Sequence, residues 1–595
     1  MRALLQRLRY LLRPPHVSLV YHPAYATTMA GVPVDPARAD RTLAFLLDES
    51  LIRRRDVSRP IPGSLENILR VHTPRYLESL QEAATLEQIL GGPVREDDVA
   101  GIIDHFRLVV GGTIQATRLA LAGRRVAVHL AGGLHHAAPD RGMGFCVFND
   151  IAVAVRRLQA RGFKGRVLVV DLDVHDGNGT RACFADDSTV HTFSIHNATW
   201  DETPAVSATV LALGSGVTDE QLLAALSDAL PPVVARHQPD LVIYVAGCDM
   251  AGDDRMGDWK LSPGGMLARD RFVIETVRRG DAAPPIVVLP GGGYGTGAWR
   301  YTARFASWLA SEQVVEPPDD MELILRRFRP IARSLAPATD GDDWGLTEED
   351  LGGLGAAGAH ETRVLGHYPR HGLELLLERL GFFDRLRALR FRHPVLTVDF
   401  GSGVGQTIRL YGDVARTELV MELRLSRNRR VVPGMDLAFI EWLLLQNPRR
   451  QFDATQPRLP GQEHPGLGLL GEVAAWLVVA CETIPLDGIG FVPAHYYTAV
   501  LGRQYLRFVQ PEAQARFDAL RDALRSVPLA AASRAIDEGR VVDASGAPVA
   551  WPVEAMVMPV SERLRALVTG AGYDAAVERA RSGLSYGVKT STTLV

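Results

Sequence analysis

The stretch Asp171-Leu-Asp173-Val-His175 contains side chains that could bind a catalytic metal ion. Alternate residues at the end of a strand point the same way, so Asp173 and His175 can converge on one ion, and Asp249 can arrive from a neighbouring strand end. Two carboxylates and one imidazole are an adequate zinc set that leaves a position for water, which then becomes a nucleophile near neutral pH. The alternative is an ordinary strand-end turn whose carboxylates cap helices or pair with arginines.

Two further motifs carry groups that suit acid–base chemistry. The adjacent histidines His135 and His136 follow a Gly-Gly turn, and two neutral imidazoles near an activated water can supply a general base and a general acid. Tyr294 follows the glycine run at 291–293, so its hydroxyl can approach a substrate carbonyl and stabilise a developing oxyanion. A surface His pair and a simple chain-reversing turn are the alternatives. The occurrence of all these groups together favours a hydrolytic site.

Short apolar, β-branched runs separated by amphipathic stretches must position these residues. This alternation predicts an α/β domain with a mostly parallel sheet flanked by helices, from about residue 17 to residue 310. The runs predicted to be buried strands are 125–130, 166–170, 190–194, 240–245 and 285–289. Ligand sites in such sheets gather at the carboxyl ends of the strands, and the polar motifs occur where these runs end.

The second half of the chain has a different pattern. Prolines and acidic clusters after residue 311 surround a short basic helix predicted at 324–333, which is typical of an interdomain connection. We therefore predict an N-terminal extension (1–16), a catalytic domain (17–312), a linker (313–353) and a separate α+β domain (354–595). In the last of these, helices are predicted at 372–389, 435–445, 469–481 and 511–524, and strands at 395–400, 407–411 and 418–425.

Two glycine motifs of the second domain admit functional interpretations. Residues 398–405 resemble the loop of S-adenosylmethionine-dependent methyltransferases, but the alternation after them predicts a strand, so we prefer a glycine-rich hairpin. Residues 462–468 precede a strong helix and resemble the coenzyme A loop of GNAT-type acyltransferases. The segment before them looks helical where that fold needs a strand. We therefore predict an accessory domain, in which His495 and Tyr496 are core or surface residues.

The composition excludes several classes of protein. The 65 basic and 69 acidic residues nearly balance, giving a net charge of -4 and no electrostatic reason for a nucleic-acid partner. The four cysteines have no disulfide-like spacing, which predicts a cytoplasmic location. Arginines interrupt every apolar run of the first 13 residues, so we expect no signal peptide there. No stretch approaches the roughly 20 apolar residues of a membrane span.

Together, the motifs of the first half resemble the histone deacetylase superfamily, and most closely its class IV branch, over about residues 17–310. The resemblance implies the arginase/deacetylase-type α/β fold. The motifs that carry it are Val110-Gly-Gly-Thr-Ile114, Leu134-His-His136, Asp140-Arg-Gly-Met-Gly-Phe-Cys146, Asp171-Leu-Asp-Val-His-Asp-Gly-Asn-Gly179, Ala246-Gly-Cys-Asp-Met250 and Leu261-Ser-Pro-Gly264. Their order along the chain makes the resemblance highly specific.

The resemblance also implies the roles of individual residues. Zn²⁺, with Fe²⁺ as an alternative, would be bound by Asp173, His175 and Asp249. The catalytic groups would be His136 as the main general base and acid, His135 as its assistant, and Tyr294 as the group that polarises the scissile carbonyl.

Five further positions match residues around the site in relatives. Asp171 would orient the first histidine and, with Ser194, match a structural K⁺ site. Gly144 and Phe145 would form one wall of a narrow substrate tunnel, and Met256 would lie on its rim.

Two positions depart from the class patterns. Asn178 stands where class I enzymes have a carboxylate behind the second histidine, so the pKa of that imidazole should be raised less. The division of labour between the two histidines is therefore open. The sequence Pro-Gly-Gly-Gly-Tyr at 290–294 is closer to class I and bacterial members than to class IV.

The favoured interpretation is a zinc-dependent hydrolase that removes acetyl or longer acyl groups from lysine-like amides of proteins or peptides. A deacetylase of small acylated amines such as acetylpolyamines is the first alternative, because Asp253, Asp254 and Asp258 lie near the predicted rim. A two-manganese arginase-like hydrolase fits less well, because ligands for a second ion are not apparent. A catalytically silent binding module is disfavoured by the complete ligand set and by Tyr294.

Overall fold

The computed structural model of the protein describes residues 17–123, 126–279, 283–340, 363–401, 405–453, 457–525 and 527–589. These residues divide into two units, Met1–Pro317 and Pro318–Val595. The predicted extension at 1–16 and the last part of the predicted linker, at 341–353, lie outside the described residues. Within the described part of the chain, every helix is too short or too polar to cross a bilayer.

The described strands of the first unit form one eight-stranded parallel sheet of order β2-β1-β3-β8-β7-β4-β5-β6. They are β1 (Val17–Val20), β2 (Val57–Ser58), β3 (Val126–His129), β4 (Val167–Asp171), β5 (Val190–His196), β6 (Ala208–Ala212), β7 (Leu241–Val245) and β8 (Ile286–Leu289). Strands β3, β4, β7 and β8 are buried along their whole length. Continuous apolar strands of this kind are typical of a parallel sheet that is covered on both faces.

Helices link these strands and complete the first unit. They are α1 (Arg38–Asp48), α2 (Leu65–Ile68), α3 (Pro74–Ser79), α4 (Ala83–Leu90), α5 (Val99–Gly123), α6 (Asp150–Ala160), α7 (Asn178–Cys183), α8 (Asp219–His237), α9 (Pro263–Val277) and α10 (Ala298–Ser311). The predicted α/β fold is thus confirmed, and each of the five predicted strands is present. Because β3, β8, β7 and β4 are consecutive neighbours, the four segments that follow them meet at one edge of the sheet.

Arg269 of α9 holds two of these strand ends together from inside the protein. Its side chain is 1% exposed, and Nη1 donates to the carbonyl oxygens of Leu172 at 3.0 Å and Gly247 at 2.7 Å. Its other nitrogens bind the carboxylate of Asp270, which also accepts from the hydroxyl of Tyr244. The carbonyls belong to the segments that carry the predicted metal ligands, so this one guanidinium fixes the spacing of β4 and β7 at their carboxyl ends.

We expect Arg269→Met to lower the free energy of unfolding of the first unit by about 3–5 kcal/mol, because it leaves Asp270 buried without its cation. Hydrogen exchange measured in increasing urea on peptides from β4 and β7 would report it. Arg271→Met is the matched control, because that exposed arginine pairs with Glu275 and lies 5.3 Å from the ring centroid of Trp308, and such surface contacts should change stability by no more than about 1 kcal/mol. Equal effects of the two substitutions would contradict the role of Arg269.

The second unit is built on a seven-stranded mixed sheet of order β11-β12-β13-β14-β15-β18-β16. Its strands are β11 (Val395–Asp399), β12 (Gln406–Tyr411), β13 (Leu419–Asn428), β14 (Leu437–Leu445), β15 (Gly488–Phe491), β16 (Arg507–Phe508) and β18 (Met556–Pro559). Only β14 and β15 pair in parallel among these described strands. Two small antiparallel sheets pair β9 (Arg363–Val364) with β10 (Tyr368–Pro369), and β17 (Val541–Asp543) with β19 (Tyr586–Val588).

Helices cover this second sheet. They are α11 (Asp320–Asp340), α12 (Arg370–Arg379), α13 (Phe382–Ala388), α14 (Leu470–Thr483), α15 (Tyr496–Gly502), α16 (Pro511–Ala523), α17 (Leu529–Asp537), α18 (Glu562–Thr569) and α19 (Ala571–Arg581). Strands and helices occur in one compact unit, which confirms the predicted separate α+β region.

Three predictions for this half need correction. The segment 435–445 is the strand β14 rather than a helix, because it pairs with β13 on one side and β15 on the other. The predicted helix at 372–389 is two helices, because Gly381 takes a left-handed conformation between them. The helix predicted at 324–333 is the longer α11, because Met321, Leu325 and Phe328 bury one of its faces in the hydrophobic core of the second unit.

The two glycine motifs of this half have different outcomes. Residues 395–399 and 406–411 pair antiparallel, with Asp399 opposite Thr407, so the glycine-rich hairpin is confirmed and the methyltransferase interpretation is wrong. The objection to an acyltransferase loop at 462–468, that a helix precedes it, no longer holds, because β14 precedes it. The acyltransferase loop stays an alternative to the predicted accessory domain. Tyr496 belongs to a buried core cluster, whereas the His495 side chain is 30% exposed and pairs with Asp537.

Candidate active site

The structure brings Asp173, His175 and Asp249 together at the carboxyl ends of β4 and β7. One ligand atom from each residue lies within 4.8 Å of the others. Nδ1 of His175 is 3.1 Å from Oδ1 of Asp173 and 3.0 Å from Oδ2 of Asp249. Asp173 is 1% exposed and Asp249 is fully buried. The three predicted metal ligands therefore form one compact group in the interior.

The electrostatics of this group suit a bound cation. Burial and the neighbouring carboxylate of Asp173 raise the pKa of Asp249 to about 7. Burial alone would lower the pKa of His175, but hydrogen bonds to the two carboxylates and their charges raise it to about 10. Two carboxylates this close in a dry site repel each other, and carboxylate oxygens with one imidazole are a donor set that zinc accepts. The residues present thus fit a divalent ion.

The glycine turn after β8 packs directly against both carboxylates. The backbone N–H of Gly292 donates to Oδ2 of Asp173 at 2.7 Å. A Cβ atom at residue 292 would lie 2.3 Å from Oδ2 of Asp249, so only glycine fits there. Arg38, a residue that the sequence analysis did not single out, donates to the carbonyl oxygens of residues 290–292 and holds the turn in place.

The two histidines lie side by side with different partners. Nδ1 of His135 is 2.8 Å from Oδ2 of Asp171, and Nδ1 of His136 is 3.1 Å from Oδ1 of Asn178. Burial alone would lower the pKa of His135, but the carboxylates of Asp171 and Asp173 raise it to about 9. Burial, and then the charge of His135, hold the pKa of His136 well below 6.5. The pair therefore combines one imidazole that favours the charged form with one that favours the neutral form.

Tyr294 presents its hydroxyl as a donor. Its ring centroid lies 6.4 Å from that of His175 and 6.0 Å from that of Phe145. Burial, and then the charges of Asp173 and Asp249, raise the pKa of Tyr294 well above 10, so the phenol keeps its proton. The tyrosine is 8% exposed. It thus reaches the same edge of the sheet as the predicted metal ligands.

The residues predicted to form the tunnel lie in two different places. Gly144 lies against the second histidine, since a Cβ atom there would be 2.4 Å from Cδ2 of His136, and Phe145 follows it with a left-handed φ of 65°. Met256 is exposed on a turn, where Oδ1 of Asp254 accepts from its N–H. Oδ2 of the same Asp254 accepts from the N–H of Tyr294. The turn with Met256 is thereby tied to the catalytic tyrosine candidate.

The connection between β5 and β6, which no sequence motif indicated, forms another wall of the site. The ring of Trp200 stacks on that of His136, with centroids 4.3 Å apart and planes 6° apart. The next residue, Asp201, accepts from Nδ2 of Asn178 at 2.8 Å. A tryptophan among mostly polar residues was the available signal in the sequence, but nothing local indicated what it would contact.

The remaining predicted site is the structural K⁺ site. Asp171 and Ser194 are paired in register on β4 and β5. The hydroxyl of Ser194 lies 2.8 Å from Nδ1 of His196, and Oδ2 of Asp171 lies 2.8 Å from Nδ1 of His135. The two residues are brought together as expected, and K⁺ itself stays a prediction.

Comparison with known proteins places the first unit in a family. The histone deacetylase domain matches residues 32–308. An uncharacterized protein of Picosynechococcus sp. is 36% identical over 281 residues, covering 46% of this chain and 91% of that protein. Histone deacetylase 2 of Arabidopsis thaliana is 31% identical over 314 residues, covering 50% of this chain and 80% of that protein. A solved structure described as an HDAC homolog complexed with SAHA has 25% identity and a TM-score of 0.44, covering 50% of this chain and 85% of its own.

The parallel sheet and the residues at its edge define an α/β protein of the deacetylase type with an Asp-His-Asp group suited to a metal ion. The chain belongs to the histone deacetylase family. This membership supports a hydrolytic deacetylase activity for the first unit. The family match ends at residue 308 and includes none of the second unit.

The buried carboxylates predict a specific binding site for zinc. After loading and dialysis, we expect about one zinc per chain in the wild type and less than about a tenth of that in Asp249→Ala, because three ligands are reduced to two. Inductively coupled plasma mass spectrometry measures the ratio. Asp258→Asn, which changes an exposed aspartate nearby, is the control and should bind as the wild type does. Full zinc content in Asp249→Ala would refute the site.

Proposed function

We propose that the first unit is a zinc-dependent hydrolase that removes acetyl or longer acyl groups from lysine-like amides of proteins or peptides. The observation that carries this proposal is the convergence of the Asp-His-Asp group, the two histidines and the Tyr294 hydroxyl at one edge of the sheet. Family membership supports the class of reaction. The products are a carboxylate and a free amine.

The metal would be held by Asp173, His175 and Asp249, with Fe²⁺ as an alternative to Zn²⁺. When bound, such an ion supplies Lewis-acid chemistry, which polarises a carbonyl and makes a water more acidic. The donor set and the repulsion between the buried carboxylates support this assignment. A structural K⁺ near Asp171 and Ser194 would further stabilise the strand end that carries the ligands.

The histidines provide proton transfer in this proposal. His136 is the main general base and acid: it takes a proton from the attacking water and returns it to the leaving nitrogen. Its partner, Asn178, is neutral, so it raises the pKa of the imidazole less than a carboxylate would. His135 assists from beside it, where Asp171 orients the ring.

Tyr294 and the aromatic walls act on the substrate. The Tyr294 hydroxyl donates to the acyl carbonyl and stabilises the negative charge that develops there. Phe145, Tyr294 and Trp200 surround the approach to the histidines with rings, which suits a long, unbranched, apolar stem such as that of lysine. Gly144 allows this wall to approach His136 closely.

The rim acids do not favour the acetylpolyamine alternative. Asp254 accepts three backbone N–H groups, from Met256, Gly257 and Tyr294. Asp253 accepts from the hydroxyl of Tyr301, and Asp258 accepts from Asn197. Each therefore has a structural role that explains its presence without a polycationic ligand.

A panel of fluorogenic acetyl-lysine and longer acyl-lysine peptides, with acetylpolyamines alongside, tests the proposal. We expect turnover of acyl-lysine peptides, with kcat reduced about 10²–10³-fold in Tyr294→Phe by loss of the oxyanion donor. We expect a reduction of about 10²–10⁴-fold in His136→Ala by loss of the base. Both follow from steady-state kinetics on the zinc-loaded full chain.

Tyr301→Phe is the matched control for the first substitution. It also removes the hydroxyl of a tyrosine, but that hydroxyl donates to Asp253 and does not contact the candidate site. We therefore expect kcat to stay within about twofold of the wild type. Hydrolysis of acetylpolyamines alone would favour the small-amine alternative. Ligand binding without any turnover would favour a binding module, and wild-type activity in Tyr294→Phe would refute the assigned role.

A further inference from the structure

A chain of three side chains runs from the second histidine to the β5–β6 connection. Nδ1 of His136 lies 3.1 Å from Oδ1 of Asn178, and Nδ2 of Asn178 donates to Oδ2 of Asp201 at 2.8 Å. His136 and Asn178 are buried, and the Asp201 side chain is 27% exposed. Position 178 has an asparagine where class I enzymes have a carboxylate. In this protein, the carboxylate of Asp201 contacts that asparagine instead of contacting His136 directly.

We infer that Asp201 is a positioning residue, which fixes the orientation of the Asn178 amide and through it the tautomer of His136. This inference rests on the proposed role of His136 as a base. An asparagine amide has a donor end and an acceptor end, and either end can face a neutral imidazole. An ionised carboxylate only accepts, so Asp201 requires the NH₂ group and leaves the oxygen for His136.

The orientation of the amide decides which nitrogen of His136 can act. With the Asn178 oxygen facing it, Nδ1 carries the proton and Nε2 keeps its lone pair for the attacking water. With the amide reversed, an N–H of Asn178 would face Nδ1. The proton would then move to Nε2, and the base would be lost.

The Asp201 carboxylate is itself held in a fixed orientation. Its Oδ1 accepts from the Thr203 hydroxyl at 2.7 Å, from the Thr203 N–H at 3.1 Å and from Nη2 of Arg181 at 3.3 Å. Its Oδ2 accepts from Asn178, and Nη2 of Arg141 lies 4.0 Å from the same oxygen. Arg181 is anchored in turn by a bidentate pair with the buried Asp176. Burial alone would raise the pKa of Asp201, but the Thr203 and Asn178 bonds and Arg181 hold it at about 2, so the group is ionised at neutral pH.

The residue types at positions 178 and 201 can be exchanged, and the exchange tests the inference. In Asp201→Asn, the new amide oxygen turns to Arg181, which can only donate, and its NH₂ faces Asn178 and reverses that amide. We expect kcat for acyl-lysine peptides to fall at least about tenfold, with KM within about twofold. Asn178→Asp alone places two carboxylates against each other and should also lose activity.

The exchanged double variant Asn178→Asp/Asp201→Asn restores the hydrogen bonds from His136 to position 201, because the carboxylate introduced at position 178 accepts from both His136 and the new amide. Its kcat should recover to within about threefold of the wild type, a rescue that a purely structural loop contact would not produce. Asp187→Asn is the matched control: it neutralises another aspartate that accepts from a threonine hydroxyl and an arginine, but not from Asn178, and it should keep kcat within about twofold. Wild-type kcat in Asp201→Asn, or no recovery in the double variant, would overturn the inference.

A second measurement separates failure of this inference from failure of the proposed function. Long-range ¹H–¹⁵N spectra of protein labelled at the histidine rings report the tautomer of His136, with His136→Gln for assignment. We expect protonated Nδ1 in the wild type and protonated Nε2 in Asp201→Asn. This result would support the inference even if every acyl-lysine substrate failed, and the same tautomer in both proteins would refute it even if the enzyme were active.

Discussion

The repulsion between two buried carboxylates, Asp173 and Asp249, is the constraint on which the rest of the first unit depends. Carboxylates removed from water cost several kcal/mol each unless hydrogen bonds and opposite charge compensate them. Here Gly292 donates to one, the N–H of Val174 donates to the other, and His175 lies between them. A divalent cation would complete this compensation, so the metal assignment and the stability of the sheet edge have the same physical origin.

Much of the first unit could be predicted because the candidate functional residues come directly after the strands in the sequence. In Asp171-Leu-Asp173-Val-His175, one stretch supplies the strand, its end and two ligand candidates, so residue spacing and strand periodicity suffice. The neighbouring strand end with Asp249 is then placed by the parallel sheet itself. The glycine run before Tyr294 was informative for the same reason: contact with two carboxylates leaves no room for a Cβ atom.

The contacts that the sequence did not indicate all depend on residues far apart in the chain. Arg38 reaches the turn after β8, and Trp200 and Asp201 reach His136 and Asn178 from another connection. The segment 435–445 was mistaken for a helix for a similar reason. Its apolar run suits both structures, and pairing with strands on both sides decides between them.

The most direct test of the central claim is anomalous X-ray diffraction at the zinc absorption edge, from crystals of zinc-loaded protein whose solution turns over an acyl-lysine peptide. The account predicts one dominant anomalous peak, lying among Asp173, His175 and Asp249 and within coordination distance of all three. A dominant peak elsewhere, or an active protein with no zinc at these side chains, would contradict it.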